Sequence, residues 1–475
     1  MRPPRAVPLV ALVARTVYAS DLPAPVPVVT SETSAQFYDL RSPTGETVLT
    51  RRRVTSTLGL SLQDLAGAPS TPHDAQLSFH ARLRYDADYG QNAHELDPSQ
   101  RDSVVPGLSY DGVDLLYGYL EGRRFLRGWV GFKLGRQYVV DGLGWWSFDG
   151  ALVRITSPVF VAAEAYAGFE VRGGLPLSSS RFEADGVWRG NRTGFDPALY
   201  PSFQPSSPAP AMGVALESTG LSWLHARVGY RRVLNTGPST VAPFAGGKTT
   251  YDAARISQER FGASAEVLAS DKAALKTRVN YDLYAARVTS IQGGLDLFLA
   301  TRASLGLDYE YYRPFFDADS IWNFFMTQSW HDLGLRASFD ASDRVSFASR
   351  VFGRLFGEDT WDGGGDLSVR YRRGDASVGV RGSGSTGWAG TRAGTDVVAE
   401  RVLETRYVFS ARGSLWRWED SLRPDRAATS VGYVAGIGYR FAKGSQAMAE
   451  WEHNMNRLVG HRFRLLFWLA VAVLP

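Results

Sequence analysis

Cysteine is absent from this 475-residue chain. A disulfide framework, an iron–sulfur cluster and a thiolate zinc site are therefore excluded. So is a bacterial lipoprotein anchor, whose lipid is carried on a cysteine. Lysine is scarce, and arginine supplies nearly all of the positive charge. The 52 basic and 48 acidic residues leave a formal net charge of +4. No compact basic patch or nucleic-acid motif accompanies that charge, so no nucleic-acid partner is expected. Histidine is also rare, at 7. His73, His94, His453 and His461 fall near expected strand ends, none in a Ser/His or Asp/His motif. The chain is accordingly not expected to be an enzyme. No apolar run reaches the roughly 18 residues of a membrane-spanning helix, which excludes a helical membrane protein.

Residues 1–19 read as a secretory signal. Arg2 and Arg5 form a positive start, Ala6 to Ala14 is apolar, and Val17-Tyr18-Ala19 suits cleavage after Ala19. A buried helix is the alternative. Residues 20–46 begin with the Pro-rich stretch DLPAPVPVV and read as an extended linker or partner-binding segment. Residues 47–475 form one continuous unit.

In that unit the dominant period is 2. Ala75, Leu77, Phe79, Ala81, Leu83, Tyr85 and Ala87 alternate with Gln76, Ser78, His80, Arg82, Arg84, Asp86 and Asp88. A strand sends alternate side chains to opposite faces, so one face is apolar and the other polar. Leu58, Leu60 and Leu62 repeat the pattern against Thr57 and Gln63. So do Leu275, Val279 and Tyr281 against Lys276, Arg278 and Asn280, and Leu333, Leu335 and Phe339 against Asp332, Arg336 and Asp340. Most such stretches run about 9–13 residues, enough to cross a bilayer at a tilt.

Short connections (Thr156-Ser157-Pro158, Ser270-Asp271-Lys272, Ser342-Asp343, Gly374-Asp375) alternate with long ones. The long ones are Asp88 to Gly107, Gly173 to Ala211, Asn235 to Thr250, Pro314 to Gln328 and Gly382 to Glu400. The expected fold is all-β: a single transmembrane antiparallel β-barrel of about 18–20 strands, with short periplasmic turns and long extracellular loops. Up/down parity disagrees by one strand, which Gln36 to Leu40 would repair as a first strand.

In the last strand Phe463, Leu465, Phe467, Leu469, Val471 and Val473 alternate with Arg462, Arg464, Leu466 and Trp468. It resembles the terminal assembly signal of bacterial outer-membrane barrels, which usually ends in Phe or Trp, whereas this chain continues to Leu474-Pro475. The Arg-rich, Cys-free chain, with its closing hairpin AMAEWEHNMNRLVGHRFRLLFWLAV, resembles the large barrels of myxobacteria and their deltaproteobacterial relatives. That resemblance implies a Gram-negative outer-membrane location and a role of porin or polysaccharide-export type. It also implies contact with outer-membrane lipid, lipopolysaccharide and the assembly machinery.

The polar face of a barrel points into its lumen. The expected pore lining is Arg82, Arg84, Arg227, Arg231, Lys276, Arg278, Arg336, Arg350, Arg354, Arg370, Arg372 and Arg381, against the fewer acidic candidates Asp86, Asp88, Asp282, Asp332, Asp340, Glu450 and Glu452, with the remaining acidic residues concentrated in loops and turns. Such rows would favour anions; alternatively, they pair with carboxylates across strands.

Trp145, Trp146 and Phe148, and Ile321, Trp322, Phe324, Phe325 and Trp330, would form an interfacial girdle or stack sugar rings. Glu358, Asp359, Asp362 and Asp366 match no defined cation motif, so neither metal nor cofactor is expected. The leading expectation is a passive conduit for polar, anionic solutes or polysaccharide. The alternatives are a docking barrel in an envelope-spanning export or motility complex and, behind it, a rim-located hydrolase.

Overall fold

Backbone N–H and C=O groups in hydrocarbon must all find partners, and a sheet does this only when it closes on itself. The computed structural model shows such a closure. It describes residues 25–473 apart from 68, 70, 72–73, 89–111, 172–208, 237–238, 242–248, 252–253, 316–327, 358, 389 and 422. The signal assigned to residues 1–19 lies outside the described residues, as do Ile321, Trp322, Phe324 and Phe325.

The strands are β1 (Val26–Arg41), β2 (Thr47–Gln63), β3 (Gln76–Asp88), β4 (Gly112–Arg124), β5 (Val130–Asp141), β6 (Gly144–Thr156), β7 (Val161–Glu170), β8 (Pro210–Ser218) and β9 (Leu224–Asn235). A small separate hairpin, β10 (Ser239–Val241) and β11 (Thr249–Tyr251), follows. The wall resumes with β12 (Arg255–Ser270), β13 (Ala273–Asp282), β14 (Arg287–Ala300), β15 (Ala303–Tyr312), β16 (Trp330–Asp340), β17 (Val345–Phe356) and β18 (Thr360–Arg373). It ends with β19 (Ala376–Gly387), β20 (Gly390–Leu403), β21 (Tyr407–Asp420), β22 (Arg423–Ala442), β23 (Ser445–Asn456) and β24 (Gly460–Val473).

Outside the small hairpin, these strands form one 22-stranded sheet in which each strand pairs with its neighbour in sequence, β9 with β12. β1 pairs antiparallel with both β2 and β24, and this closes the barrel.

The count exceeds the expected 18–20 for two reasons. The segment assigned to a linker at residues 20–46 supplies β1, so the barrel begins at Val26 rather than at residue 47. The stretch Gly382 to Glu400, assigned to a loop, is divided between β19 and β20, in register from Gly382↔Thr395 to Gly387↔Gly390. Its glycines and serines give no apolar alternation. A strand needs only neighbours for its backbone, and β18 and β21 provide them.

The other expected short connections are turns between consecutive strands. At the barrel end where β1 begins and β24 ends, the longest connection is residues 64–75. At the other end β3 is followed by β4 after 23 residues, β7 by β8 after 39, β9 by β12 after 19 and β15 by β16 after 17.

The outer face is apolar. Leu58, Leu83, Leu275, Leu333 and Leu335 point away from the lumen, and Val351 on the same face is 64% exposed. In water such a continuous apolar surface would be an aggregation liability; against lipid it is what the bilayer requires.

At one place the wall departs from regularity. β5 pairs with β4 only from Gly118↔Arg136 to Gly122↔Phe132, but with β6 along its whole length up to Asp141↔Gly144. The departure begins at a transverse row of glycines, Gly135↔Gly150↔Gly168. A Cβ on Gly150 would lie 2.2 Å from the Ala167 carbonyl oxygen, and one on Gly168 2.2 Å from that of Asp149. Gly135 has φ +124, and a Cβ there would lie 2.3 Å from the Gly118 carbonyl oxygen. Only glycine permits so close a backbone approach, a known device for bending a sheet.

Candidate functional site

Beyond the glycine row the β5–β6 hairpin leaves the wall and folds into the lumen. Its tip passes β7 and β8 to reach β9 and β12. There Leu143 lies over two lumen-facing glycines: its Cδ1 is 3.9 Å from where a Cβ on Gly229 would be, and its Cδ2 is 2.8 Å from that position on Gly262. Asp141 accepts the Leu143 backbone N–H at 2.9 Å and lies 3.8 Å from the Arg231 guanidinium and 4.0 Å from that of Arg227.

Behind the tip, Trp146 and Phe148 stack at 4.5 Å and pack with Tyr166 and Val233. The Trp146 Nε1–H donates to Glu170 at 3.0 Å, and the Arg231 guanidinium covers its ring at 5.3 Å. Phe148 is wholly buried. Each large side chain buried in this way contributes on the order of 1.5–3 kcal/mol, so the hairpin is held by a small apolar core of its own. Trp146 and Phe148 are thus neither a girdle nor a sugar platform, and only Trp145 of that group is exposed.

Between the hairpin, which presents Tyr138 and Val140, and the wall as far as β17 lies a cavity of about 1200 Å³. Its lining is balanced in charge. The cations are Arg123, Lys133, Arg154, Arg227, Lys276, Arg278, Arg336 and Arg350; the carboxylates are Glu121, Glu164, Glu217, Glu266, Asp296, Asp308, Glu310 and Asp332.

Most of these groups are paired across strands. Glu121 meets Arg123 at 2.8 Å and Lys133 at 3.7 Å. Arg227 meets Glu164 at 2.7 Å and Glu217 at 2.9 Å, and Glu217 also meets Arg154 at 2.9 Å. Lys276 bridges Glu266 at 3.4 Å and Asp296 at 3.7 Å. Arg336 binds Asp308 and, at 3.1 Å, Asp296. Asp332, 3% exposed, holds Arg350 at 2.5 Å and Arg354 at 2.9 Å. Arg278 and Glu310 alone have no opposite charge within 4.0 Å among the described residues.

Of the expected pore-lining residues, Arg227, Lys276, Arg278, Arg336 and Arg350 line this cavity. Arg82 binds Glu32 on β1 at 2.8 Å, Arg84 binds Asp114 at 2.8 Å, and Arg381 binds Asp366 at 3.1 Å. Arg231 lies 2% exposed beneath the hairpin. Arg354 joins the Asp332 cluster, and its guanidinium lies 4.8 Å over the ring of Trp330. Arg370 and Arg372 are exposed on β18, on the face opposite the outward-pointing Leu367 and Tyr371.

The acidic partners are the main correction. The sequence places most acidic residues in loops and turns, whereas the partners Glu121, Glu164, Glu217, Glu266, Asp296 and Asp308 all lie on strands. Each follows the same alternation as the arginines; what marks it as a partner is cross-strand register, which joins residues distant in sequence.

His453 and His461 lie away from this cavity, 3.1 Å apart, with the Tyr433 hydroxyl 2.7 Å from His453 Nδ1. His73 and His94 lie outside the described residues. Asp362 and Asp366 belong to β18, and no cluster of three metal-ligating side chains occurs among the described residues.

A closed sheet, an apolar outer band and a charged, water-accessible interior define an outer-membrane β-barrel. No protein-family model matches the chain, and no curated protein matches it. Among solved structures, the chain is similar to Pseudomonas aeruginosa OpdQ at a TM-score of 0.43 and 10% identity, covering 94% of this chain and 98% of that one. It is similar to Acinetobacter baumannii OccAB4 at 0.43 and 7%, covering 95% and 99%. For Pseudomonas aeruginosa OpdK, whose structure was solved with vanillate, the values are 0.41 and 11%, covering 94% and 99%. These are similarities of barrel architecture.

Proposed function

We propose that the chain is a passive pore through which small polar solutes cross the outer membrane down their gradients. The observation that carries this reading is the large charged cavity, open to water, inside a closed transmembrane sheet. A hairpin folded across the wall from β5 to β12 favours small solutes over a polysaccharide chain. The matched lining argues against a strong field of one sign, because paired charges largely cancel at a distance. Arg370 and Arg372, exposed and without a carboxylate within 4.0 Å among the described residues, tilt the lumen modestly toward anions.

The long connections would face the outside and the short turns the periplasm. Lipid and lipopolysaccharide would solvate the outer band, and β24 would be read by the assembly machinery.

The test is conductance of the refolded chain in a planar bilayer under a salt gradient. A stable step with a small anion-biased reversal potential is expected. No conductance from folded protein would retire the pore and leave a docking barrel in its place.

A further inference from the structure

Among the described residues, the cavity contains one cation and one carboxylate left over when every other charge has found a partner. They are neighbours in the fold. Arg278 on β13 faces Gln292 on β14 in register, and Gln292 faces Glu310 on β15. The three side chains form one transverse row at one height of the wall, all lining the cavity. Adjacent strands are spaced about 4.8 Å apart, so Arg278 and Glu310 are about 10 Å apart at their Cα atoms. Gln292 stands between them and donates its Nε2–H to Glu310 Oε1 at 3.1 Å. This fixes one carboxylate oxygen and leaves Glu310 Oε2 and the Gln292 carbonyl oxygen available as acceptors.

We infer that this row is a binding subsite for zwitterionic solutes, molecules that carry a carboxylate and an ammonium a few bonds apart. A guanidinium offers two parallel N–H donors to a carboxylate. An ammonium has three donors and no acceptor, which suits the two free oxygens of Glu310 and Gln292. Oriented along the row, such a solute satisfies both ends at once. A simple anion or cation satisfies one end and leaves the other charge facing it unmatched. Elsewhere in the cavity the wall answers its own charges, so a dipolar solute gains least there.

The inference rests on the pore reading, and the experiment separates the two. The full chain is reconstituted in liposomes, after its KCl conductance has been recorded, and influx is measured for alanine, propionate and propylammonium. These probes share a three-carbon body and differ in charge pattern. Alanine influx is expected to saturate and to exceed that of the two singly charged probes. Arg278→Gln and Glu310→Gln are each expected to lower alanine influx about fivefold, the effect of one exposed charged contact. The exchanged double variant Arg278→Glu/Glu310→Arg is expected to recover it, because the solute can bind in the reverse orientation. Folding of each variant is checked by heat-modifiable gel migration.

Alanine influx that rises linearly and matches propionate overturns the subsite while the pore stands. Failure of the exchanged variant to recover, in folded protein, also overturns it. Absence of KCl conductance in the unaltered chain overturns the pore itself.

Discussion

Replacing Leu143 with alanine tests whether the infolded hairpin sets the width of the pore. Leu143 is 8% exposed and fits against Gly229 and Gly262, beside the Asn280 side chain. Truncating a buried leucine costs about 2–5 kcal/mol. One flank of this site is open to lumen water, so the low end, about 2 kcal/mol, applies. That shifts the balance between docked and released tip by roughly thirtyfold. Asp141 and the Trp146–Phe148 stack still hold the hairpin, so the docked form persists as the main state. Single-channel records of Leu143→Ala are expected to show brief excursions to a higher conductance that the unaltered chain lacks.

A cross-link supplies the converse. The position of a Cβ on Gly262 is 3.3 Å from Leu143 Cγ, where the sulfur of a cysteine at 143 would sit, close to the roughly 3 Å between the Cβ of one half of a disulfide and the sulfur of the other that an S–S bond implies. The chain has no other cysteine to interfere. Oxidised Leu143→Cys/Gly262→Cys is expected to keep the main conductance level and show no excursions, and reductant to reverse any effect. If the oxidised pair loses conductance altogether, the conducting form has its hairpin elsewhere and the reasoning fails.

Asp332→Asn is expected to free Arg350 and Arg354 and to move the reversal potential toward anions; an unchanged potential would mean that those guanidiniums are neutralised by other groups. The same substitution removes a buried charge partner, a loss of up to about 3–5 kcal/mol where water is excluded and less beside a wet lumen, readable as a lower denaturant midpoint. Gly150→Val is expected to prevent assembly, because its Cβ would meet backbone at 2.2 Å; a heat-modifiable band of unaltered intensity would refute the bend described at the glycine row. Deleting residues 26–41 is expected to leave β2 and β24 with open edges and to abolish the protease-resistant barrel. Persistence of that barrel would show that the two strands can pair directly.

Much of the outer surface was readable in the sequence. Leu275, Leu333 and Leu335 alternate with charged residues, and all three point to lipid in the structure. The apolar final strand was equally plain. The hairpin was not, because Trp146 and Phe148 alternate just as lipid-facing residues do, and local sequence does not distinguish a side chain facing hydrocarbon from one facing an apolar cluster inside the lumen. The arginine rows were found, and so was Asp332 as an acidic residue on the same face, but most of the particular partners were not. Glu164 meets Arg227 only because β7, β8 and β9 are aligned in a particular register, and that register follows from the whole closed sheet. β1 was legible only as Gln36 to Leu40, because VPVVTSETSAQFYDLR carries proline and hydroxyls in place of the aliphatic stripe that marks other strands.

That same polar strand bears on how the barrel comes into being. Val26–Arg41 is the first strand of the wall to be synthesised, and one of its two partners, Gly460–Val473, is the last. The Trp468 Nε1–H donates to Glu32 at 2.8 Å across this seam, a contact between residues 436 apart in the chain. Closure must therefore wait for β24, and contacts of such long range form slowly. Throughout that delay β1 has an unsatisfied edge, the kind of surface on which chains associate wrongly. Hydroxyls, a glutamate and Pro27 make it a poor template for a stranger. The composition that made the first strand hard to see is also the composition of an edge that can afford to wait.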